Sequence, residues 1–134
     1  FSKLDVEACV KQWPSLEDAK AEALQMFQGT DFPTIGATEI EAKYVDADGL
    51  RKQLTTLKEN WSEIRDRLRH QLIPLDQLRA SLEAVGAPTR PEQIGISHDR
   101  LVASADRAQR IRRRFTILDI AVRTGRLSQW VKAL

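Results

Sequence analysis

An all-α domain is what this sequence predicts, on three observations. Apolar residues at Leu50, Leu54, Leu57, Trp61, Ile64 and Leu68 fall four and three apart, which keeps them on one stripe of an α-helix. Capping residues and Gly or Pro breaks separate this run from its neighbours. No stretch of alternating apolar and β-branched residues is long enough to argue for a sheet. About seven helices joined by short loops are expected, packed as one compact domain over residues 1–134.

The elements follow in order. Val6, Cys9, Val10 and Trp13 suggest a first helix, and Trp13-Pro14-Ser15 a turn. Ser15 with Asp18 caps a second helix that ends before Gly29. A short third helix is expected from Ala37 to Tyr44. Asp46 is placed to accept the orphan N–H groups of the long helix carrying the Leu50–Leu68 stripe, where Gly49 weakens the first turn by about 1 kcal/mol relative to Ala. Pro74 suits the first position of the next helix, with Leu75, Leu78, Leu82 and Val85 as its stripe and Gly86 as its left-handed stop. Pro91 opens a short turn closed by Gly95. Ser97 starts another helix, with Leu101, Ala105, Ala108 and Phe115 on its apolar side. Thr116 and Asp119 have the spacing of a capping box, so the chain either restarts there or runs straight through to Thr124. Gly125 ends it, and Leu127, Trp130, Val131 and Leu134 make a last short helix.

Composition narrows the function. The 134 residues are 42% hydrophobic and 30% charged, enough for one real core and too apolar for disorder. No apolar run approaches the roughly 18 residues of a membrane helix, and a cytoplasmic protein is expected. One cysteine, Cys9, excludes an internal disulfide and a multi-cysteine metal site. The chain opens at Phe1 without Met or a charged-then-apolar leader, so it is expected to be part of something longer or a processed product.

Charge is segregated. Residues 1–50 hold four Lys and ten acids, residues 51–99 are nearly neutral, and residues 100–134 hold nine basic residues against Asp106 and Asp119. The two ends are expected to pack against each other or against neighbours of opposite sign.

Chemistry-bearing patterns are sparse. His70 follows Asp66 by four residues and is expected to pair with it on the helix surface rather than to ligate metal. His98 begins a helix, in solvent. Cys9 falls on an apolar helix face, as a small hydrophobe. No G-x-G-x-x-G, Walker or G-x-S-x-G motif occurs, so no catalytic, cofactor-binding or metal-ligating residue is assigned. In the run Arg110-Ile111-Arg112-Arg113-Arg114, only Arg112 projects into the apolar stripe, between Leu101, Ala105 and Phe115. An inward guanidinium needs an anion. Asp119 points the same way if the helix continues, so Arg112 and Asp119 are expected as an inward ion pair, with a phosphate contact as the alternative.

Four stretches carry a resemblance. They are Ala42-Lys43-Tyr44-Val45-Asp46, the run from Asn60 to Leu68, the run from Gly86 to Gly95, and the run from Ile111 to Ala121. In this order they resemble the C-terminal end of bacterial sn-glycerol-1-phosphate dehydrogenases, relatives of the iron-dependent polyol dehydrogenases, over most of residues 40–125. The resemblance implies a two-domain parent of phospholipid metabolism. A missing N-terminal α/β domain would bind NAD(P), and an all-α domain would carry a divalent metal (zinc, nickel or iron) through one aspartate and two histidines. Dihydroxyacetone phosphate would be reduced, with the metal as Lewis acid. Neither His70 nor His98 sits in the family's His-Gly motif, so no ligand role carries over and this chain alone is expected to hold no cofactor and to be inactive. A homo-oligomeric parent is possible on this resemblance.

Two other classes remain open. The basic end suits a stand-alone helical nucleic-acid-binding module, although its arginines spread around the helix. A non-catalytic interaction module would dimerise through the Leu50–Leu68 stripe.

Overall fold

The computed structural model describes residues 1–133, and these are all-helical, with no strand among them. The described residues form nine α-helices: α1 Val6–Lys11, α2 Leu16–Phe27, α3 Ile35–Glu41, α4 Ala47–Glu59, α5 Trp61–Gln71, α6 Leu75–Ala84, α7 His98–Arg110, α8 Ile117–Arg123 and α9 Leu127–Lys132. A single 3-10 turn, Pro91–Ile94, precedes α7. Among the described residues no helix is long and apolar enough to cross a membrane.

Local chemistry sets most boundaries. The side chains of Asp5, Ser15, Asp46 and Ser97 each accept a backbone N–H of the helix they precede. Gly86 and Gly125 lie at φ +70° and +66°. Each closes its helix with paired backbone bonds, Ala87 N to Leu82 O (2.9 Å) and Arg126 N to Ala121 O (2.7 Å), the left-handed stop that only glycine adopts without strain. Pro74 caps α6 from just outside it, rather than occupying its first turn. The third helix runs Ile35–Glu41, earlier than the expected Ala37–Tyr44, because Lys43, Tyr44 and Val45 are drawn into tertiary bonds described below. Leu134 lies outside the described residues.

The long helix predicted over Leu50–Leu68 is two helices. Asn60 adopts φ −95°, ψ 6°, and its side-chain amide and backbone N–H both donate to Thr56 O, at 2.8 and 3.1 Å. A short amide side chain competing for a helix carbonyl is a known source of interruption. The break divides the stripe by fate. Leu50 and Leu54 are 0% and 2% exposed and form a core with Leu4, with Phe1, Val6, Cys9, Val10, Trp13, Val45 and Leu57 around it. Trp61 and Ile64 are half-buried, and Leu68 is exposed.

A second cluster joins Ala121, Leu127 and Val131, backed by Val102, Ala105, Leu118, Val122 and Trp130. Outside these clusters α2 packs on α3 so closely that a Cβ on Gly36 would sit 2.8 Å from Phe27 Cδ2 and 3.2 Å from Ala23 Cβ. Phe27 and Ala23 are themselves buried, so there is little room to yield. Gly36→Leu is expected to destabilise the fold by about 1–3 kcal/mol through overpacking. The urea midpoint should fall with an unchanged denaturant slope, and an unchanged midpoint would show that the two helices can separate freely.

Candidate functional site

The segment from Lys43 to Asp46, between α3 and α4, holds the fold together residue by residue. Lys43 Nζ lies 2.7 Å from Asp119 Oδ1 and donates to the Gln109 carbonyl. The Lys43 carbonyl accepts from Arg123 Nη2 at 3.0 Å. Tyr44 donates its hydroxyl to Pro14 O at 3.0 Å, and its ring stacks 6.1 Å from Trp13. Val45 O accepts the Trp13 indole N–H at 2.8 Å. Asp46 caps α4 through Gly49 N at 2.8 Å.

Asp119 is the centre of this cluster and is 2% exposed. Besides Lys43, Oδ1 accepts from Gln109 Nε2 at 2.9 Å. Oδ2 accepts from Thr116 N at 2.7 Å and from Thr116 Oγ1 at 3.1 Å, completing the capping box of α8. Burial alone would raise the carboxyl pKa. The Lys43 ammonium, the Thr116 N–H and the Gln109 amide outweigh it and hold Asp119 below its ordinary value. With both oxygens engaged by donors, this carboxylate is ionised and structurally committed.

Two buried arginines flank it. Arg123, 6% exposed, donates to the Gln53 side chain and to Lys43 O, and its guanidinium lies 4.8 Å from the Phe115 ring centre. Burial lowers its pKa, partly opposed by the charge of Asp119. Arg110 pairs with Glu22 at 2.9 Å and with Asp106 at 3.4 Å, while its buried Nε has no hydrogen-bond partner among the described residues. These groups line a small cleft of about 80 Å³ under Trp13, Pro14 and Tyr44. That is far below the roughly 300–1,000 Å³ of a typical ligand pocket.

An open groove of about 560 Å³ adjoins the cleft and is lined by Asp5, Cys9, Gln12, Glu22, Arg123 and Arg126 among others. The C-terminal end of α8 borders it, from Val122 to Gly125, and a helix's carbonyl end disfavours phosphate. Burial raises the Cys9 thiol, with Asp5 adding to the effect, so at neutral pH it is a protonated thiol and a poor nucleophile.

The expected Arg112–Asp119 pair is therefore corrected. α7 stops at Arg110, and Arg112 lies exposed in the turn before α8. The continuous helix that would have pointed Arg112 inward is broken because Glu39 grips the next residue. Its carboxylate takes the Arg113 backbone N–H at 2.7 Å and the Arg113 guanidinium at 2.7 and 3.1 Å. Thr116 then restarts the helix. Phe115, expected on the apolar side of α7, is 56% exposed in this turn.

The expected side-chain pairing of Asp66 with His70 is corrected as well. His70 Nδ1 lies 2.7 Å from the Asp66 backbone carbonyl, and the carboxylate faces Arg65 and Arg69 at 3.6 and 4.0 Å. His98 is exposed at the start of α7. Cys9 is half-buried beside the Leu50 core. Among the described residues no three His, Cys, Asp or Glu side chains converge as metal ligands, so the Asp-His-His set of the resembling enzymes does not fit onto this chain's own residues.

Lys43, Gln109 and Arg123 were not singled out from the sequence, and Arg110, expected in the basic run on the polar, solvated side, is buried instead. Charge segregation was the available signal: Glu22–Arg110 and Glu39–Arg113 join the acidic end to the basic end, and Lys43–Asp119 joins them with the signs reversed. Comparison with family models, with curated proteins and with solved structures gives no match.

Proposed function

We infer that this chain is the distal helical part of an NAD(P)- and metal-dependent oxidoreductase resembling sn-glycerol-1-phosphate dehydrogenase, and that it serves there as scaffold. One observation carries the reading: all four stretches that bear the resemblance serve here as caps, turns and tertiary bonds. Lys43 to Asp46 is the hub described above. Asn60 breaks the α4–α5 run, and Trp61 packs edge-on against Phe1 at 4.6 Å. Gln93 Oε1 accepts from Thr89 N and Arg90 N at 2.7 and 2.8 Å, between the left-handed glycines 86 and 95. Arg113, Thr116 and Asp119 anchor the α7–α8 turn. Strings that share an order along the chain, yet serve only architecture, suit a part whose cofactor is held by an N-terminal α/β domain and whose metal is held by helices of the all-α domain that precede the matched region.

Nucleic-acid binding is the weaker reading, because Arg110 and Arg123 of the basic end are buried and bonded within the fold and the exposed Arg113 is paired with Glu39, whereas phosphate contacts need free cations. The test is enzymatic. The purified chain should not oxidise NAD(P)H with dihydroxyacetone phosphate, and should gain turnover when the α/β domain of an enzyme of this class, together with the metal-bearing helices that follow it, is supplied with it. Turnover by the chain alone, or neither association nor turnover with that part, overturns the reading.

A further inference from the structure

Residues 65–86 are exposed without interruption, although they comprise most of α5 and all of α6. Helices of 10 or 11 residues are marginal in water unless an apolar face is packed. This arm has such a face. Leu68 and Leu72 lie one turn apart, Ile73 follows, and Leu75, Leu78 and Leu82 share a stripe of α6; all six are 36–65% exposed. Leu72, Ile73 and Leu75 are each more than 60% exposed, and exposed apolar side chains grouped in this way mark an interaction site rather than ordinary surface.

We propose that the α5–α6 arm is a homodimerisation surface, covered by the same arm of a second copy of this chain. Charge selects the occupant. From Trp61 to Gly86 the arm carries four arginines (65, 67, 69 and 79) and four acids (Glu63, Asp66, Asp76 and Glu83), so two copies meet without net repulsion. α5 is net positive by one and α6 net negative by one, which favours α5 of one copy against α6 of the other. A nucleic acid or an anionic lipid surface finds no attracting field on this neutral arm. The surface shares only Leu68 with the predicted dimer stripe, whose first members, Leu50 and Leu54, are spent on the core. This inference does not rest on the oxidoreductase reading.

Sedimentation equilibrium at several concentrations tests it, with hydrogen exchange on α6. The wild-type chain should dimerise reversibly, and α6 amides should gain protection as the dimer fills. Leu72→Asp with Leu78→Asp should weaken the dimer on the order of a hundredfold. Both positions are exposed, so the monomer's helical signal and melting should stay as they were. Phe32→Asp, at an exposed residue outside the arm, should leave the dimer intact. A monomer at every concentration overturns the proposal, as does a dimer that the arm variant leaves unchanged or that Phe32→Asp weakens equally. Protection of α6 only on adding a separate α/β domain identifies that domain as the occupant, and overturns it too.

Discussion

Asp119→Asn is expected to cost about 3–5 kcal/mol of folding stability, the range found when one member of a buried ion pair is removed. The substitution keeps the shape of the side chain but strips the counter-charge from Lys43, whose side chain is 8% exposed, and from the neighbouring buried Arg123. Most of the loss is the penalty of an uncompensated buried cation. Combining Asp119→Asn with Lys43→Met should therefore recover a large part of it, a non-additivity that a double-mutant cycle in urea measures directly. A single-variant cost below about 1 kcal/mol would show that the pair is not the centre of the fold. The pH dependence has a definite sign. Asp119 titrates below its unfolded value in the native state, so its stabilisation is complete above the ordinary carboxylate pKa of about 4 and fades as pH falls through the depressed native value. Wild-type stability should thus drop in acid, and Asp119→Asn should flatten that slope. Glu39, held low chiefly by its bond to Arg113, leaves a residual slope of the same sign.

The legible part of this fold is the part fixed within one turn of chain. Asp46, Ser15 and Ser97 cap, Gly86 and Gly125 stop, and Thr116 with Asp119 forms its box, because each of these bonds spans only a few residues. The break at Asn60 was not legible, since it carries no Gly or Pro, and the break before α8 was legible only as one of two possibilities, allowed by the Thr116–Asp119 box but not required by any Gly or Pro. The second depends on Glu39, far away in sequence, seizing the backbone and guanidinium of Arg113. That single bond decides which arginine faces where. It turns Arg112 out to solvent and leaves Asp119 to Lys43. Asp119 was expected inward only on a helix continuous with Arg112, which is not formed; its actual partner was not readable, because Lys43 sits on a loop whose position three other contacts determine. The charge imbalance between the chain's ends did foretell that they would meet.

Leu50→Ala should be the costliest single truncation of the apolar core, at about 3–4 kcal/mol within the range for fully buried leucines. Leu50 is 0% exposed, on the face of α4 that packs against α1 and Leu4. Lys58 Nζ donates to Leu4 O at 2.9 Å and pins the other side of the resulting cavity, so collapse to refill it is restricted. Leu78→Ala, on the stripe of α6, is the informative contrast. At 43% exposed it should cost the monomer under about 1 kcal/mol. The two leucines belong to similar heptad-like patterns and cannot be told apart by spacing. What separates them is the break at Asn60, ahead of which the stripe faces α1 and beyond which it leaves the body. Urea unfolding at a concentration low enough to hold the chain monomeric checks the pair. Equal costs at Leu50 and Leu78 would mean that α6 folds back onto the body, and the division of the chain into core and arm would fail.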